Sequence, residues 1–96
     1  MDLQDYRKQI DQIDSQLVDL FARRMEVAAG IARYKKENGL RVLDASREQA
    51  KLQQVMGMAP AGMEDYTAQL YAKLFELSRS YQEKLLCGSK PGEVEK

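Results

Sequence analysis

The first third of the chain carries one long line of apolar residues at helical spacing. Taking every third or fourth residue gives ten positions, nine of them apolar or aromatic: Leu3, Tyr6, Ile10, Ile13, Leu17, Leu20, Arg24, Val27, Ile31 and Tyr34. Such a line, sustained over roughly five heptads, predicts a single long helix. Residues 2–37 contain no proline and only one glycine, so we expect the helix to end at Asn38 and Gly39, which suit a C-cap.

Two shorter helices are predicted after the long one. Asp44 suits the N-cap of a second helix over residues 44–57, and Gly57 is the first of the helix breakers that follow. A third helix is predicted over residues 63–86, and residues 88–96 form a polar tail or linker with the composition of a disordered segment. The predicted class is therefore all-α, with one long, one short and one medium helix in a domain over residues 1–87.

The long helix presents more apolar surface than two shorter helices can cover. At ~1.5 Å per residue it extends roughly 50 Å. An uncovered stripe of isoleucine, leucine and valine is an association site. The sequence therefore predicts an intertwined homodimer, a helical bundle in which the long helix pairs with its copy in a second chain.

The composition argues against several classes of function. Lys plus Arg and Asp plus Glu are equal at 15 each, so the chain lacks the basic excess of a nucleic-acid or anionic-membrane surface. It has no apolar run long enough to span a membrane. It also contains no histidine, the usual metal ligand and general base, and we expect no metal site. Cys87 is the only cysteine, which fits a cytoplasmic protein without disulfides.

Arg24 interrupts the apolar line and requires an anionic partner. A buried guanidinium without such a partner is very costly. Lys35 lies about three helical turns further on, on nearly the same side of the helix. Arg7 is too far from Arg24 to share a pocket within one straight helix, but in an antiparallel dimer Arg7 of one chain can approach the Arg24–Lys35 region of the other. These cations predict a pocket for a small dianion inside a helical bundle.

Polar residues on the second and third helices extend this candidate site. Asp44 and Glu48 are four positions apart, so their carboxylates share one helix face. Ser78 and Gln82 continue a stripe on the third helix that is aromatic in the preceding turns. We expect these two neutral side chains to present hydrogen-bond donors where the apolar stripe would otherwise continue.

Each of these residues also has an ordinary structural interpretation. Arg24 can extend its charge into solvent or pair with a glutamate of another helix. Lys35 suits the end of a helix and Asp44 suits an N-cap. Ser78 and Gln82 can be surface residues. No single position decides between these interpretations, and it is the combination that favours a binding site.

The ordered set of motifs resembles the all-α chorismate mutases, the intertwined helical dimers of aromatic amino-acid biosynthesis. The resemblance runs from about Leu3 to Leu86. Its motifs are "YRKQIDQID" with Arg7, "LFARRMEVA" with Arg24, "IARYKKENG" with Lys35, "VLDASRE" with Asp44, Arg47 and Glu48, and "LFELSRSYQ" with Ser78 and Gln82. Each fragment alone is a weak signal, whereas the set in this order and spacing is specific.

The resemblance implies that chorismate is converted to prephenate by a Claisen rearrangement. The reaction is unimolecular and uses no nucleophile, metal, cofactor or proton shuttle, so a site without histidine is adequate. Negative charge builds on the ether oxygen as the C–O bond breaks. Catalysis then consists of holding a compact reactive conformer and donating hydrogen bonds to that oxygen.

The resemblance also implies a role for each cationic and amide residue. Arg24, together with Arg7 of the partner subunit, binds the substrate carboxylates, and Ser78 helps to hold one of them. Lys35 and Gln82 donate hydrogen bonds to the ether oxygen. The implied catalytic residues are Lys35, Gln82 and Arg24, in active sites shared between two chains.

The resemblance implies that the acidic residues bind the ring hydroxyl of the substrate. By the same resemblance, Asp44 and Glu48 accept the ring hydroxyl, and Arg47 lies close enough to order this acidic pair.

Three alternatives stay open on the sequence. The chain can be an inactive helical dimerisation module, which would tolerate Arg24→Leu. It can have the fold of the all-α chorismate mutases and another role. That role can be a regulatory domain that binds chorismate or prephenate, or a pyruvate lyase that acts on isochorismate. The tail can also be a linker into a downstream dehydratase or dehydrogenase domain.

Overall fold

A computed structural model describes residues 1–86, which form three α-helices and no strand. The all-α class and the order of one long, one short and one medium helix are therefore confirmed for this part of the chain. Residue 87, the last of the predicted domain, and the predicted tail at 88–96 lie outside the described residues. None of the described helices is both long and apolar enough to cross a membrane.

The first helix, α1, runs from Leu3 to Glu37 and is capped at both ends by local sequence. At its start, Asp2 and Asp5 form a capping box in which each carboxylate accepts the backbone N–H of the other residue. At its end, the Asn38 backbone N–H donates to the Tyr34 carbonyl, and Gly39 has a φ of 67°. A residue with a side chain is strained at that φ, so this glycine allows the chain to turn away from the helix.

The second helix, α2, runs from Ala45 to Met58, and Asp44 is its N-cap as predicted. The expectation that Gly57 breaks this helix is wrong, because Gly57 lies inside its last turn. The stop comes from Pro60, whose ring disfavours helical backbone at the residue before it. Ala59 accordingly is extended, with φ −76° and ψ 147°.

The third helix, α3, runs from Glu64 to Leu86 and packs against both α1 and α2. The buried apolar residues of the described chain are few and small: Ala28, Ala32 and Val55. Two alanines one turn apart on α1 leave little side-chain bulk on that face. Ser78 and Gln82 are buried as well, so the region around α3 is polar as much as apolar.

The predicted apolar line of α1 remains uncovered in the single chain. Its nine apolar members, from Leu3 to Tyr34, are each between 45% and 63% exposed. The described chain measures 52 × 33 × 19 Å, so α1 extends well beyond the part that α3 can cover. The expectation that two shorter helices leave this surface open is therefore confirmed.

Candidate active site

A cavity of about 530 Å³ lies between the three helices and the segment that joins α1 to α2. Seven of the eight predicted site residues line it: Arg24, Lys35, Asp44, Arg47, Glu48, Ser78 and Gln82. Its apolar lining consists mainly of Val27, Ala28, Ile31, Val42 and Phe75. Residues that are up to 58 positions apart in sequence thus share one small space, and we call this space the candidate pocket.

Arg24 lies partly buried against two aromatic rings of α3. Its guanidinium carbon is 5.7 Å from the centre of the Tyr71 ring and 6.0 Å from that of Phe75. These rings hold the flat cation through cation–π attraction. Within residues 1–86, Arg24 forms no ion pair with an acidic side chain. Its positive charge is therefore left for a group that enters the pocket.

Lys35 reaches from the last turn of α1 across to the α1–α2 segment. Its Nζ donates a hydrogen bond to the Val42 carbonyl oxygen over 2.8 Å, and the side chain is partly buried. That bond fixes the position of the ammonium group without neutralising it, because a carbonyl is an uncharged acceptor. An ammonium carries three donors, so two stay free for other acceptors.

Ser78 and Gln82 lie one turn apart on α3 and are 8% and 6% exposed. Gln82 Nε2 donates to Ser78 Oγ over 3.0 Å, which leaves the second N–H of the amide free. Gln82 Oε1 is buried and has no hydrogen-bond partner in the described chain. Buried polar atoms are nearly always paired, so Oε1 is an exception, and the free N–H is the group of this amide that can donate to a molecule in the candidate pocket.

Asp44 combines the capping of α2 with a place on the pocket wall. Its Oδ1 accepts the Arg47 backbone N–H and the Ser46 hydroxyl, each over 3.1 Å. The pKa of Asp44 is lowered from its usual value, mainly by the Arg47 backbone N–H and next by Ser46, with smaller contributions from the charges of Lys35 and Arg47. Asp44 is therefore ionised at neutral pH.

Glu48 is paired with Arg79, a residue that sequence reasoning missed. Arg79 Nη1 lies 2.6 Å from each of the two carboxylate oxygens of Glu48. Arg47 contacts the acidic pair through its backbone N–H, which donates to Asp44, while its side chain is exposed and forms no ion pair within residues 1–86. The expectation that Arg47 orders the acidic pair stays a prediction. A signal for Arg79 was present, because it lies four positions after Phe75 and therefore on the same face of α3.

Arg7 is the one predicted site residue that does not line the candidate pocket. It is exposed in the first third of α1, roughly 26 Å from Arg24 along a straight helix. The sequence expectation that the two residues cannot meet within one chain agrees with this placement.

The candidate pocket is strongly positive although the whole chain is balanced. Five cationic residues line it, Arg24, Lys35, Arg47, Lys51 and Arg79, against two acidic residues, Asp44 and Glu48, which leaves an excess of three positive charges. The chain itself has 15 residues of each sign. No group of three or more potential metal-ligating side chains is found within residues 1–86. This arrangement suits a small organic anion.

Comparison with known proteins identifies the family of the chain. The sequence model of the family described as chorismate mutase type II matches residues 6–83, which is most of the chain. The chain belongs to the chorismate mutase type II family. The span matched by the chorismate mutase type II model contains every predicted site residue, from Arg7 to Gln82.

Two curated relatives are much longer than this chorismate mutase type II chain. It is 34% identical over 83 residues, or 84% of its length, to a bifunctional chorismate mutase/prephenate dehydratase of Buchnera aphidicola subsp. Acyrthosiphon pisum. It is 39% identical over 51 residues, or 53% of its length, to the T-protein of Haemophilus influenzae. The matched segments span 22% and 14% of those two proteins. No solved structure matches the chain.

Proposed function

We propose that the chain is a chorismate mutase and rearranges chorismate to prephenate in the candidate pocket. The observation that carries this proposal is a partly buried Arg24 with no acidic partner in residues 1–86, in a pocket with an excess of positive charge. Chorismate is a dicarboxylate ether, so its carboxylates supply the missing anions. Charge-assisted bonds of this kind are roughly twice as strong as those between neutral groups.

The chemical step breaks the ether C–O bond while a C–C bond forms within the same molecule. No atom leaves, and no proton has to be transferred. Negative charge grows on the ether oxygen in the transition state, and Lys35 and Gln82 donate hydrogen bonds to it. The bond from Lys35 to Val42 supports this role, since a donor that is already fixed needs no reorganisation when the charge develops.

The walls of the pocket supply the second contribution to catalysis. Val27, Ala28, Ile31 and Phe75 form apolar surface beside the cationic groups, and a volume of about 530 Å³ suits a small dianion. Holding the two ends of the substrate close together lowers the entropic part of the barrier. Asp44 and Glu48 form the acidic part of the pocket that accepts the hydrogen bond of the ring hydroxyl, and this bond fixes the orientation of the ring.

The complete site contains Arg7 of the partner subunit in an intertwined homodimer. The exposed apolar line of α1, from Leu3 to Tyr34, supports this part of the proposal. Burying such side chains contributes about 1.5–3 kcal/mol each, and four or five of them offset most estimates of the entropy of association. In an antiparallel pairing of two α1 helices, Arg7 of the partner subunit reaches the Arg24–Lys35 region and clamps a substrate carboxylate.

The direct test is to mix purified protein with chorismate and follow the loss of chorismate absorbance and the appearance of prephenate. We expect turnover by the wild-type chain and by the Arg23→Ala variant, since Arg23 is an exposed residue that pairs with Asp19 outside the pocket. Binding of chorismate without any turnover would contradict the proposal and favour a regulatory domain. If the protein neither binds nor converts chorismate, a helical dimerisation module is the interpretation that remains.

A further inference from the structure

The ion pair between Glu48 and Arg79 differs in kind from the other ion pairs of the described chain. Its side chains are 25% and 31% exposed, and it joins α2 to α3 across 31 positions of sequence. The pairs Arg23–Asp19 and Lys73–Glu76 are each 60–70% exposed and lie within single helices. Exposed pairs of that kind contribute little to stability, whereas a shielded pair between helices fixes the position of both side chains.

Glu48 lies at the boundary between two cavities. It lines the candidate pocket and also a second cavity of about 320 Å³ between α2 and α3, as do Phe75 and Arg79. Among residues 1–86, Arg79 is the hydrogen-bond donor to its carboxylate. A glutamate side chain has several rotatable bonds, so without Arg79 it is free to move away from the candidate pocket.

We propose that Arg79 is a positioning residue that holds Glu48 at the candidate pocket as a hydrogen-bond acceptor for the hydroxyl group of the substrate. This inference rests on the proposed function. Each carboxylate oxygen has two lone pairs, so Glu48 can accept a hydroxyl hydrogen while both of its oxygens remain bonded to Arg79. Arg79 thereby acts through Glu48 and makes no contact of its own with the reacting atoms.

Arg79 affects the ring hydroxyl through Glu48, and this hydroxyl is not part of the bond that breaks. The effect of Arg79 on KM and on kcat can therefore be predicted. A hydrogen bond to this hydroxyl has the same strength in the ground state and in the transition state. Loss of such uniform binding raises KM and leaves kcat nearly unchanged. A residue that only tied α2 to α3 would instead lower thermal stability and leave KM unchanged.

The test compares Arg79→Met and Arg79→Lys with Lys73→Met, which removes the exposed ion pair from the same helix. We expect Arg79→Met to raise KM for chorismate about tenfold with kcat within about threefold, and Lys73→Met to leave both constants unchanged. Arg79→Lys should keep KM within about threefold of the wild-type value. A single arginine nitrogen makes both contacts with the Glu48 carboxylate, and lysine also supplies one nitrogen. If Arg79→Met does not fold by circular dichroism, Arg79→Gln takes its place.

A double-mutant cycle with Glu48→Gln shows whether Arg79 acts through Glu48. We expect Arg79→Met to raise KM less than about twofold further in the Glu48→Gln background. Fully additive effects, or an Arg79→Met protein with wild-type KM, would overturn the inference. Absence of chorismate turnover by the wild-type chain would instead overturn the proposed function, so the two failures are distinguishable.

Discussion

Gln82 donates a hydrogen bond from Nε2 to the Oγ of Ser78, one turn earlier on α3, over 3.0 Å. Both side chains are buried, although the buried apolar residues of the described chain amount to two alanines and one valine. The pair lines the candidate pocket, with Gln82 Oε1 left without a partner in the described residues. The second N–H of the amide is not used by Ser78, so it is the group that can donate to a molecule in the cavity.

Replacing Gln82 by glutamate should make activity dependent on pH. The wild-type amide donates at any pH near neutrality, whereas a carboxyl group donates only when protonated. An ionised carboxylate also repels the charge that grows on the ether oxygen. We expect Gln82→Glu to be nearly inactive around neutral pH and to regain activity as the pH falls and the carboxyl group is protonated. The measurement is kcat against pH for both proteins.

Gln69→Glu is the matched control for this experiment, because Gln69 is an exposed residue on the same helix. We expect its pH–rate profile to follow that of the wild-type chain, with folding checked by circular dichroism at each pH. Parallel profiles for Gln82→Glu and wild type would mean that Gln82 does not face the breaking bond.

Arg24→Ala should lose most of the activity while the fold is retained. The Arg24 charge has no acidic partner within residues 1–86, so removing it leaves no acidic side chain unpaired. Losing a buried, charge-assisted hydrogen bond to substrate costs ~2–5 kcal/mol, which corresponds to roughly 30-fold or more in kcat/KM. Arg24→Leu should be as inactive and at least as stable to heat as wild type, because an apolar residue continues the line of α1.

The neighbouring Arg23→Ala variant controls for loss of an arginine from the same turn of α1. Arg23 is exposed and pairs with Asp19, so we expect wild-type kinetics. An Arg24→Ala protein with wild-type kcat/KM would rule out the proposed carboxylate clamp.

The sequence predicts this fold well where a local signal is sufficient. The apolar line of α1, the turn at Gly39 and the N-cap at Asp44 each depend on residues within a few positions of one another. The prediction that Gly57 breaks α2 is wrong because a glycine in the last turn of a helix is tolerated, and Pro60 decides where α2 ends.

The pairing of Glu48 with Arg79 could not be predicted in the same way. It depends on how α2 is rotated and displaced relative to α3, and no local pattern encodes that register. Arg47 is one position from Glu48 in sequence, but adjacent helical residues point in different directions. Arg79 reaches Glu48 from another helix and lies 2.6 Å away.

Lys35→Ala should lower kcat more than it raises KM, because Lys35 acts on charge that appears only in the transition state. Loss of a donor of this kind reduces kcat by about 100-fold or more. Lys36→Ala is the control, since Lys36 is the adjacent exposed lysine. A Lys35→Ala variant in which only KM changes would show that Lys35 binds substrate without stabilising the transition state.

Asp44 variants should separate the capping of α2 from the charge of the residue. Asp44→Asn keeps a good cap, whereas Asp44→Ala loses the acceptor for the Arg47 backbone N–H and should unfold at a lower temperature. The pKa of Asp44 is lowered from 3.8 in the folded chain. Its charge therefore stabilises the fold fully above that value, and this contribution is lost as pH falls through the lower, folded-state pKa.

Thermal unfolding of wild type and Asp44→Asn over a pH series measures this contribution. The two proteins should differ most above pH 4 and converge in stronger acid. A difference that grows as the pH falls would have the wrong sign for a carboxylate stabilised in its ionised form.

We propose that the candidate pocket becomes a chorismate-rearranging site when a second chain supplies Arg7. Arg7→Ala and Lys35→Ala chains, each inactive alone, are unfolded, mixed in equal amounts and refolded together. Half of the resulting dimers contain one chain of each kind, and each such dimer has one intact site, so activity should return to about a quarter of the wild-type value. The control mixes Arg24→Ala with Lys35→Ala, whose lost residues belong to the same pocket, and it should remain inactive. Recovery in the control, no recovery in the first mixture, or an active monomer by sedimentation would contradict the account.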